Sequence, residues 1–165
     1  MTEDDHIHAA ASSEHVHVRS LTEPSSNEMW ALAEIFDLYR VHYGQVPDAA
    51  GSASWLELNL RSGRMHAFVA EDSSRFVGFA VTVEIPASLR LAHFWQIRDL
   101  FVLPTHRRQG IGRALLDSVR AAATASGALR LSLQTEDQND PALALYISSG
   151  YVPMSGYRTL VLPID

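Results

Sequence analysis

Residues 100–116 read LFVLPTHRRQGIGRALL, and their pattern changes from that of a strand to that of a helix. The apolar run 100–103 is typical of a strand that is buried on both faces. Pro104 ends this strand, because proline cannot donate to a sheet ladder. From Ile111 onward apolar residues recur at helical spacing, which predicts a helix that ends near Gly127. A basic loop with two glycines therefore connects a strand to the start of a helix.

This loop has the composition of an anion-binding site. The first amides of a helix lack partners within the helix, and they point along its axis, where they attract negative charge. Gly110 and Gly112 allow the backbone to approach a ligand closely. Arg107, Arg108 and Arg113 add positive charge and fork-shaped donors. Together these features predict a site for a phosphate or pyrophosphate group.

Two common phosphate loops do not fit the segment. A Walker A loop ends in Gly-Lys-Ser/Thr, and the chain contains no lysine. A dinucleotide fingerprint requires a third small residue where Leu115 stands. The pattern that remains is Arg107-x-x-Gly110-x-Gly112, between a strand and a helix. It resembles the pyrophosphate loop of the GNAT superfamily of acyl-CoA-dependent N-acetyltransferases.

Composition limits the possible classes of protein. The chain has 165 residues, 47% of them hydrophobic, and a net charge of −6, which fits one globular domain. We expect no nucleic-acid partner for an acidic chain, and no membrane partner because no apolar run reaches the length of a span. The absence of cysteine excludes disulfides, thiolate zinc sites and a cysteine-linked acyl intermediate. The acidic start does not resemble a signal peptide, so we expect a cytoplasmic protein.

The first residues of the chain are polar and show no periodicity. We expect residues 1–13 to form a disordered tail and residues 14–165 to form the domain. Four histidines near the start suggest a metal site, but their loose spacing favours a tail remnant, and we expect no metal. These histidines are His6, His8, His15 and His17.

Periodic patterns predict the remaining elements. Ser25 and Glu28 form a capping-box pattern before a helix over 27–43, and Ser52 is expected to cap a helix over 53–62 with Trp55 and Leu56 inward. Tyr39 and Tyr43 fit either core packing, which is favoured, or the wall of a substrate site. A further helix is expected between Asn139 and Gly150. Strands are predicted near 16–21, 66–70, 76–84, 91–103, 129–133, 151–154 and 157–162.

The predicted order of elements, βααβββαβαββ, is similar to that of the GNAT fold. A second segment, Asn139-x-x-Ala142-x-x-x-Tyr146-x-x-x-Gly150-Tyr151, also resembles a family pattern, Asn-x-x-Ala…Tyr…Gly-Phe/Tyr. The resemblance covers roughly residues 16–163. It implies an α/β fold with a central, mostly antiparallel mixed sheet, one splayed parallel strand pair and helices on both faces.

The resemblance further implies that acetyl-CoA is a co-substrate and that no metal takes part. In the family, pantetheine lies where the strand before the loop separates from the next parallel strand. The backbone groups exposed there would belong to Leu100, Phe101 and Val102. Asn139 and Tyr146 of the second segment would also contact the cofactor. The pyrophosphate would be held by Arg107, Arg108, Gln109, Gly110, Ile111, Gly112 and Arg113.

Acetyl transfer from a thioester to an amine requires a neutral amine, a stabilised oxyanion and an acid for the departing thiolate. The resemblance places Tyr146 near the sulfur as that acid, although a core tyrosine is the alternative. An alkyl ammonium has a pKa of about 10.4, so a base must remove its proton. Asp99 is the first candidate, and Glu84 or a chain of waters remains possible. Without cysteine, we expect direct attack by the amine in a ternary complex.

Two functions agree with these patterns. The first is an N-acetyltransferase acting on a small-molecule amine or on a peptide or protein amine. The second is a non-catalytic acyl-CoA-binding sensor or regulatory module, which needs the same loop. We expect the first helix, the loop after it and the last hairpin to form the pocket for the acceptor of the acetyl group. Helix and hairpin edges also suit a homodimer, which is common in the family.

Overall fold

The computed structural model describes residues 16–156 and 158–164. The expected tail 1–13 lies outside the described residues, as do three of the four histidines considered above, His6, His8 and His15. Two short 3-10 turns, Ser88–Arg90 and Pro104–His106, flank the fourth strand. In chain order the other elements are β1 (His17–Ser20), α1 (Ser26–His42), α2 (Ala49–Arg61), β2 (Met65–Asp72), β3 (Arg75–Ala87), β4 (Ala92–Val102), α3 (Ile111–Ala125), β5 (Leu131–Leu133) and α4 (Asp140–Ser148).

The five strands form one mixed sheet in the order β1-β2-β3-β4-β5. Each neighbouring pair is antiparallel except β4 and β5, which are parallel. The parallel pairing joins only Trp95–Ile97 to Leu131–Leu133, although β4 continues to Val102. The predicted α/β fold with a mostly antiparallel mixed sheet and one splayed parallel pair is therefore confirmed.

Helices cover both faces of the sheet, as the resemblance implied. On one face α1 and α2 bury Leu32 and Leu56 completely, and on the other face α3 buries Leu115 and Val119 completely. Burying one leucine side chain stabilises the fold by about 1.5–3 kcal/mol, so each face carries its own core. Within the part of the chain that the structure describes, no helix is both long enough and apolar enough to cross a bilayer.

The predicted capping box starts α1. The Glu28 amide donates to Ser25 Oγ at 3.3 Å, and the Ser25 amide donates to Glu28 Oε2 at 2.9 Å. The Arg19 guanidinium also donates to Glu28, at 2.7 Å. The Ser25 amide and hydroxyl together with Arg19 hold the pKa of Glu28 at about 2. The helix therefore begins within one residue of its predicted start, because two helix-end donors are satisfied there.

The predicted start of α2 was wrong by four residues. The helix begins at Ala49, and Asp48 is its N-cap, with its carboxylate accepting from the Gly51 amide at 2.8 Å. Ser52 is not a cap, because its side chain is buried and donates to another carboxylate. Trp55, expected to point inward, is half exposed and stacks on the edge of the core.

That carboxylate belongs to Asp37 of α1, which is buried between α1 and α2. It accepts hydrogen bonds from the Arg40 guanidinium at 2.6 Å, the Asp48 amide at 3.0 Å and the Ser52 hydroxyl at 3.1 Å. Burial alone would raise the pKa of Asp37, but these donors outweigh it and lower the pKa. The ionised carboxylate therefore fixes the α1–α2 connection, which lies beside the candidate site.

The final hairpin predicted at 151–154 and 157–162 was wrong for the described residues. Residues 151–156 and 158–164 contain no strand. Pro153 removes one ladder donor, and the glycines on either side have left-handed backbones, with φ of +92° at Gly150 and +88° at Gly156. The described residues therefore do not form the expected pair of strands, and the apolar end of the chain stays exposed.

Replacing Asp37 with asparagine is expected to lower the free energy of unfolding at pH 7 by about 2 kcal/mol, because it removes the charge from three hydrogen bonds. The pKa of Asp37 is lower in the folded state than in the unfolded state. The contribution of Asp37 to the free energy of unfolding is therefore complete above the ordinary carboxyl pKa and is lost as the pH falls below that value. Urea unfolding of the wild type and Asp37→Asn should therefore differ most at neutral pH and progressively less towards pH 3.

The matched control is Asp117→Asn, which breaks an exposed pair with Arg120 on α3. That variant should change the unfolding free energy by no more than about 0.5 kcal/mol at any pH. Equal losses in the two variants would contradict the assigned role of Asp37.

Candidate active site

A bulge in β4 begins the candidate site. The register of β4 against β3 shifts between Ile97 and Asp99, which makes Arg98 the extra residue of the bulge. Side chains two positions apart normally share a face of the sheet. Here Ile97 packs in the core beneath α3, whereas Phe101 packs in the core beneath α1 and α2. The bulge therefore turns Asp99 and Phe101 towards α1, and the sequence analysis did not predict it.

Beyond Ile97, β4 separates from β5 while it stays paired with β3. The Leu103 amide donates to β3 at 2.9 Å. Antiparallel alternation then turns the N–H and C=O groups of Leu100 and Val102 away from β3 and into the gap. The backbone of Phe101 faces β3 instead, so only its side chain can contribute to the gap.

The start of α3 leaves its first amides without acceptors. Gly110 is the N-cap with φ of +81°, and no side chain in residues 16–156 or 158–164 caps it. The first helical bond runs from the Ala114 amide to the Gly110 carbonyl at 3.0 Å. The amides of Ile111, Gly112 and Arg113 therefore have no helical acceptor, and they can bind an anion.

The two glycines of the loop have different roles. Gly110 adopts a left-handed backbone and has open space around it, whereas a Cβ on Gly112 would lie 3.0 Å from the Leu145 side chain of α4. Gly112 thus allows α4 to pack against the start of α3. Asn139 caps α4 by accepting from the Ala142 amide at 3.3 Å. Both motif segments therefore meet at the same opening.

The three arginines near the loop are held differently. Arg107 Nε donates to the Val102 carbonyl at 2.9 Å, so Arg107 ties the loop to the end of β4. Arg113 donates to the carbonyl and the hydroxyl of Ser148 at 3.0 and 2.7 Å, which ties the start of α3 to the end of α4. Arg108 is exposed and has φ of +63°. Two arginines therefore shape the loop, and the third extends from it.

These elements enclose a cleft of about 670 Å³, a volume that suits a small-molecule site. The predicted cofactor residues line it with one exception, Gln109, whose side chain donates to the Thr105 carbonyl at 3.3 Å. From α1, Tyr39, His42 and Tyr43 also line it. The predicted residues in the lining are Leu100, Phe101, Val102, Arg107, Arg108, Gly110, Ile111, Gly112, Arg113, Asn139 and Tyr146.

Tyr146 projects from α4 into this cleft and is 9% exposed. Burial raises the pKa of its phenol, so the hydroxyl stays protonated at neutral pH and can donate a proton. The ring also meets Tyr151 edge to face at 5.9 Å between centroids. Tyr146 therefore packs in the core beneath α3 and also lines the cleft, which agrees with both interpretations considered from the sequence.

Asp99 does not itself line the cleft, but it is connected to it through Tyr39. Tyr39 Oη donates to Asp99 Oδ1 at 2.7 Å, and Tyr39 is a lining residue. Burial raises the pKa of Asp99, although Tyr39 and Arg98 partly offset that rise. Burial and the Asp99 charge raise the pKa of Tyr39 as well. The sequence allowed Tyr39 either to pack in the core or to line a substrate site. Its ring packs edge to face against Phe79 in the core, and Tyr39 also lines the cleft.

The structure does not bring Glu84 to the cleft. Glu84 is exposed and pairs with His66 Nε2 at 3.0 Å on the sheet. Among residues 16–156 and 158–164, no group of three or more His, Asp or Glu side chains could hold a metal ion. Of the two carboxylates considered as the base, Asp99 and Glu84, Asp99 is therefore the one that the fold connects to the cleft.

Comparison with known proteins agrees with this geometry. The sequence model of the Acetyltransferase (GNAT) family matches residues 30–151. The uncharacterized N-acetyltransferase YhfO of Bacillus subtilis (strain 168) is 30% identical over 138 residues, which are 84% of this chain and 93% of that protein. The thialysine N-epsilon-acetyltransferase of Caenorhabditis elegans is 28% identical over 113 residues, 63% of this chain and 64% of that protein. A crystal structure of a probable acetyltransferase is 26% identical, has a TM-score of 0.83, and matches over 90% of this chain and 98% of its own.

Replacing Gly110 with tryptophan should weaken acetyl-CoA binding by at least about 100-fold. The free energy of such a change corresponds to the loss of one or two charge-assisted hydrogen bonds. The large side chain would occupy the space in front of the α3 amides. Calorimetric titration with acetyl-CoA measures the change. The control is Gly63→Trp, because Gly63 also has a positive φ, +68°, and open surroundings but lies after α2. Equal affinities for the two variants would refute the assignment of the loop.

Proposed function

We propose that this chain is an acetyl-CoA-dependent N-acetyltransferase that transfers an acetyl group to a primary amine. The premise is that the chain belongs to the Acetyltransferase (GNAT) family. One observation carries this proposal. The unpaired amides at the start of α3 and the unpaired backbone of β4 face the same cleft. A ligand that fits both must combine a diphosphate with an extended chain of amides, as CoA does.

The backbone would hold the cofactor at two places. The diphosphate would accept hydrogen bonds from the amides of Ile111 and Gly112, and each such bond contributes about 1.5–3 kcal/mol. Pantetheine would add along β4 as a strand does, through main-chain bonds that need no particular side chain. The Val102 carbonyl already accepts a hydrogen bond from Arg107. The backbone partners left for pantetheine would therefore be mainly the N–H and C=O groups of Leu100 and the N–H group of Val102.

The cleft residues can then move the protons of the reaction. An amine that enters protonated first releases one proton to solvent. The neutral nitrogen then attacks the thioester carbonyl, the carbon–sulfur bond breaks, and the thiolate takes the phenolic proton of Tyr146. The second proton on nitrogen passes to Tyr39 Oη as Tyr39 gives its own proton to Asp99, and this proton returns from Asp99 to the Tyr146 phenolate through solvent before the next turnover. A raised pKa makes Asp99 a stronger base than an ordinary carboxylate. The raised pKa of Tyr39 prevents it from holding the negative charge itself.

The acceptor would enter beside α1. Tyr39, Tyr43 and His42 form an aromatic wall there, with the Tyr39 and Tyr43 rings 5.0 Å apart and Tyr43 48% exposed. Aromatic faces attract a cationic group, so this wall suits an amine that arrives protonated. The names of the Bacillus subtilis and Caenorhabditis elegans relatives, both N-acetyltransferases, also favour nitrogen as the acceptor atom.

Release of free thiol from acetyl-CoA, measured with a panel of primary amines, tests the proposal. We expect turnover with at least one amine, and we expect Tyr146→Phe to lower kcat by about 10–100-fold with little change in the KM for acetyl-CoA. Tight CoA binding without thiol release on any amine would favour the non-catalytic sensor. Equal changes of kcat and KM in Tyr146→Phe would indicate a packing role for that residue.

The pH profile of kcat/KM tests the proposed base. Activity should fall as the pH drops through the raised pKa of Asp99, and Asp99→Asn should lower the activity and abolish this acid limb. Tyr39→Phe breaks the relay between the amine and Asp99, so it should lower the activity and remove the acid limb, as Asp99→Asn does. Tyr43→Phe is the control, because its hydroxyl is not bonded to Asp99, and it should leave the limb in place. An acid limb unmoved by Tyr39→Phe would contradict the relay.

A further inference from the structure

Part of the sheet carries a helix on one face only. On the other face α1 and α2 pack against β3 and β2. Within the described residues, β4 contributes Phe101 to the core beneath these two helices, whereas no earlier residue of β4 joins that core. The α1-side face of residues 94–98, which we call the open face, is therefore left uncovered beside the point where β4 and β5 separate.

Two polar side chains of β4 lie together on the open face. Trp95 and Ile97 pack in the core beneath α3, so Gln96 between them points to the opposite face. The Arg98 guanidinium donates to Gln96 Oε1 at 3.4 Å, which places Arg98 on the same side. Arg98 is the extra residue of the bulge, and bulges beside active sites commonly redirect a side chain. The bulge thus presents a guanidinium on the side of the sheet that faces α1.

The Arg98 guanidinium has no carboxylate partner in the part of the chain that the structure describes. Its side chain is exposed, and none of the ion pairs among residues 16–156 and 158–164 includes it. Arg130, the residue before β5, instead lies over the Phe94 ring at 4.0 Å and is held there by a cation–π contact. Of these two cations, Arg98 is the one that remains available to a ligand.

Arg98 lies directly beside the proposed base. The Cα atoms of neighbouring residues are about 3.8 Å apart, and both Arg98 and Asp99 are on the α1 side of the sheet. Burial raises the pKa of Asp99, and the positive charge of Arg98 opposes that rise, so the two groups interact. Tyr39 Oη donates to Asp99 at 2.7 Å. A small acceptor whose amine reaches Tyr39 can therefore extend a second group towards Arg98.

The chemistry of the guanidinium selects that second group. A planar guanidinium matches a carboxylate through two parallel hydrogen bonds, whereas it repels a second ammonium group. The cofactor diphosphate does not compete for Arg98, because α3, whose first amides would bind it, packs on the opposite face of the sheet.

We propose that Arg98 binds a carboxylate of the acceptor, so that the acceptor is a small amino acid whose amine lies at Tyr39. This inference rests on the proposed function and adds the class of acceptor to it. Arg98 then acts as a specificity-determining residue, and Gln96 holds its guanidinium in place.

Matched pairs of acceptors test this assignment. Each pair consists of an amino acid and the amine that lacks only its α-carboxylate: L-leucine and isopentylamine, L-phenylalanine and phenethylamine, and L-lysine and cadaverine. Thiol release from acetyl-CoA gives kcat/KM for each compound. We expect the wild type to prefer the amino acid in at least one pair, and Arg98→Met to lower the ratio of the two kcat/KM values by about 10–100-fold. Both members of a pair use the same base, so the effect of Arg98 on Asp99 cancels in this ratio.

Two further variants separate the position and shape of the cation from its charge. Arg130→Met removes one positive charge near the same face and should leave the ratio unchanged. Arg98→Lys keeps the charge but loses the planar fork, so it should recover only part of the preference. Turnover without a preference for any amino acid, or a ratio that Arg98→Met leaves unchanged, would overturn this inference while the proposed function stands. An absence of thiol release with every amine would overturn both.

Discussion

Backbone groups without partners organise the function of this molecule. A folded chain pairs nearly all of its N–H and C=O groups, yet within the described residues this fold leaves several sets open. The first lies on β4 beyond Ile97 and the second lies at the start of α3. These two face a common cleft and suit a single extended ligand with a diphosphate. Others lie along the outer edges of the two end strands, β1 and β5.

The first two sets face the same cleft because β3 holds β4 and α3 together. Gly78 of β3 has no side chain, and a Cβ there would lie 3.1 Å from the Phe101 carbonyl and 3.3 Å from the side chains of Ile111 and Leu115. The start of α3 can therefore approach the end of β4 closely. Arg107 and Arg113 then tie the loop to β4 and α4. The loop that borders the cleft is thus tied to packed elements on both sides.

Local patterns predicted the parts of the site that are contiguous in sequence. The glycines, the arginines and Tyr146 lie in two short segments, and the capping box of α1 is encoded by Ser25 and Glu28 alone. The bulge was missed because Arg98 and Asp99 interrupt the apolar run without fixing a register. The contact between Tyr39 and Asp99 could not be derived from spacing, because 60 residues separate them along the chain.

The same reasoning explains two of the errors outside the site. A serine such as Ser52 can cap a helix, but its hydroxyl donates to the buried carboxylate of Asp37 instead. Residues 158–164 have the composition of a strand, but composition alone does not supply a neighbouring strand, and none forms there. Both errors arise where a long-range contact, or the lack of one within the chain, overrides the local preference.

The placement of Asp99 resolves an electrostatic conflict. The chain has a net charge of −6, yet the residues that line the cleft include three arginines and no aspartate or glutamate. A carboxylate exposed in the cleft would repel a diphosphate, and that repulsion is poorly screened in a partly buried site. Asp99 is instead set behind the Tyr39 hydroxyl, which neutralises part of its field through a 2.7 Å hydrogen bond. Asp99 is thus coupled to the cleft through Tyr39, while the residues that line the cleft carry no carboxylate.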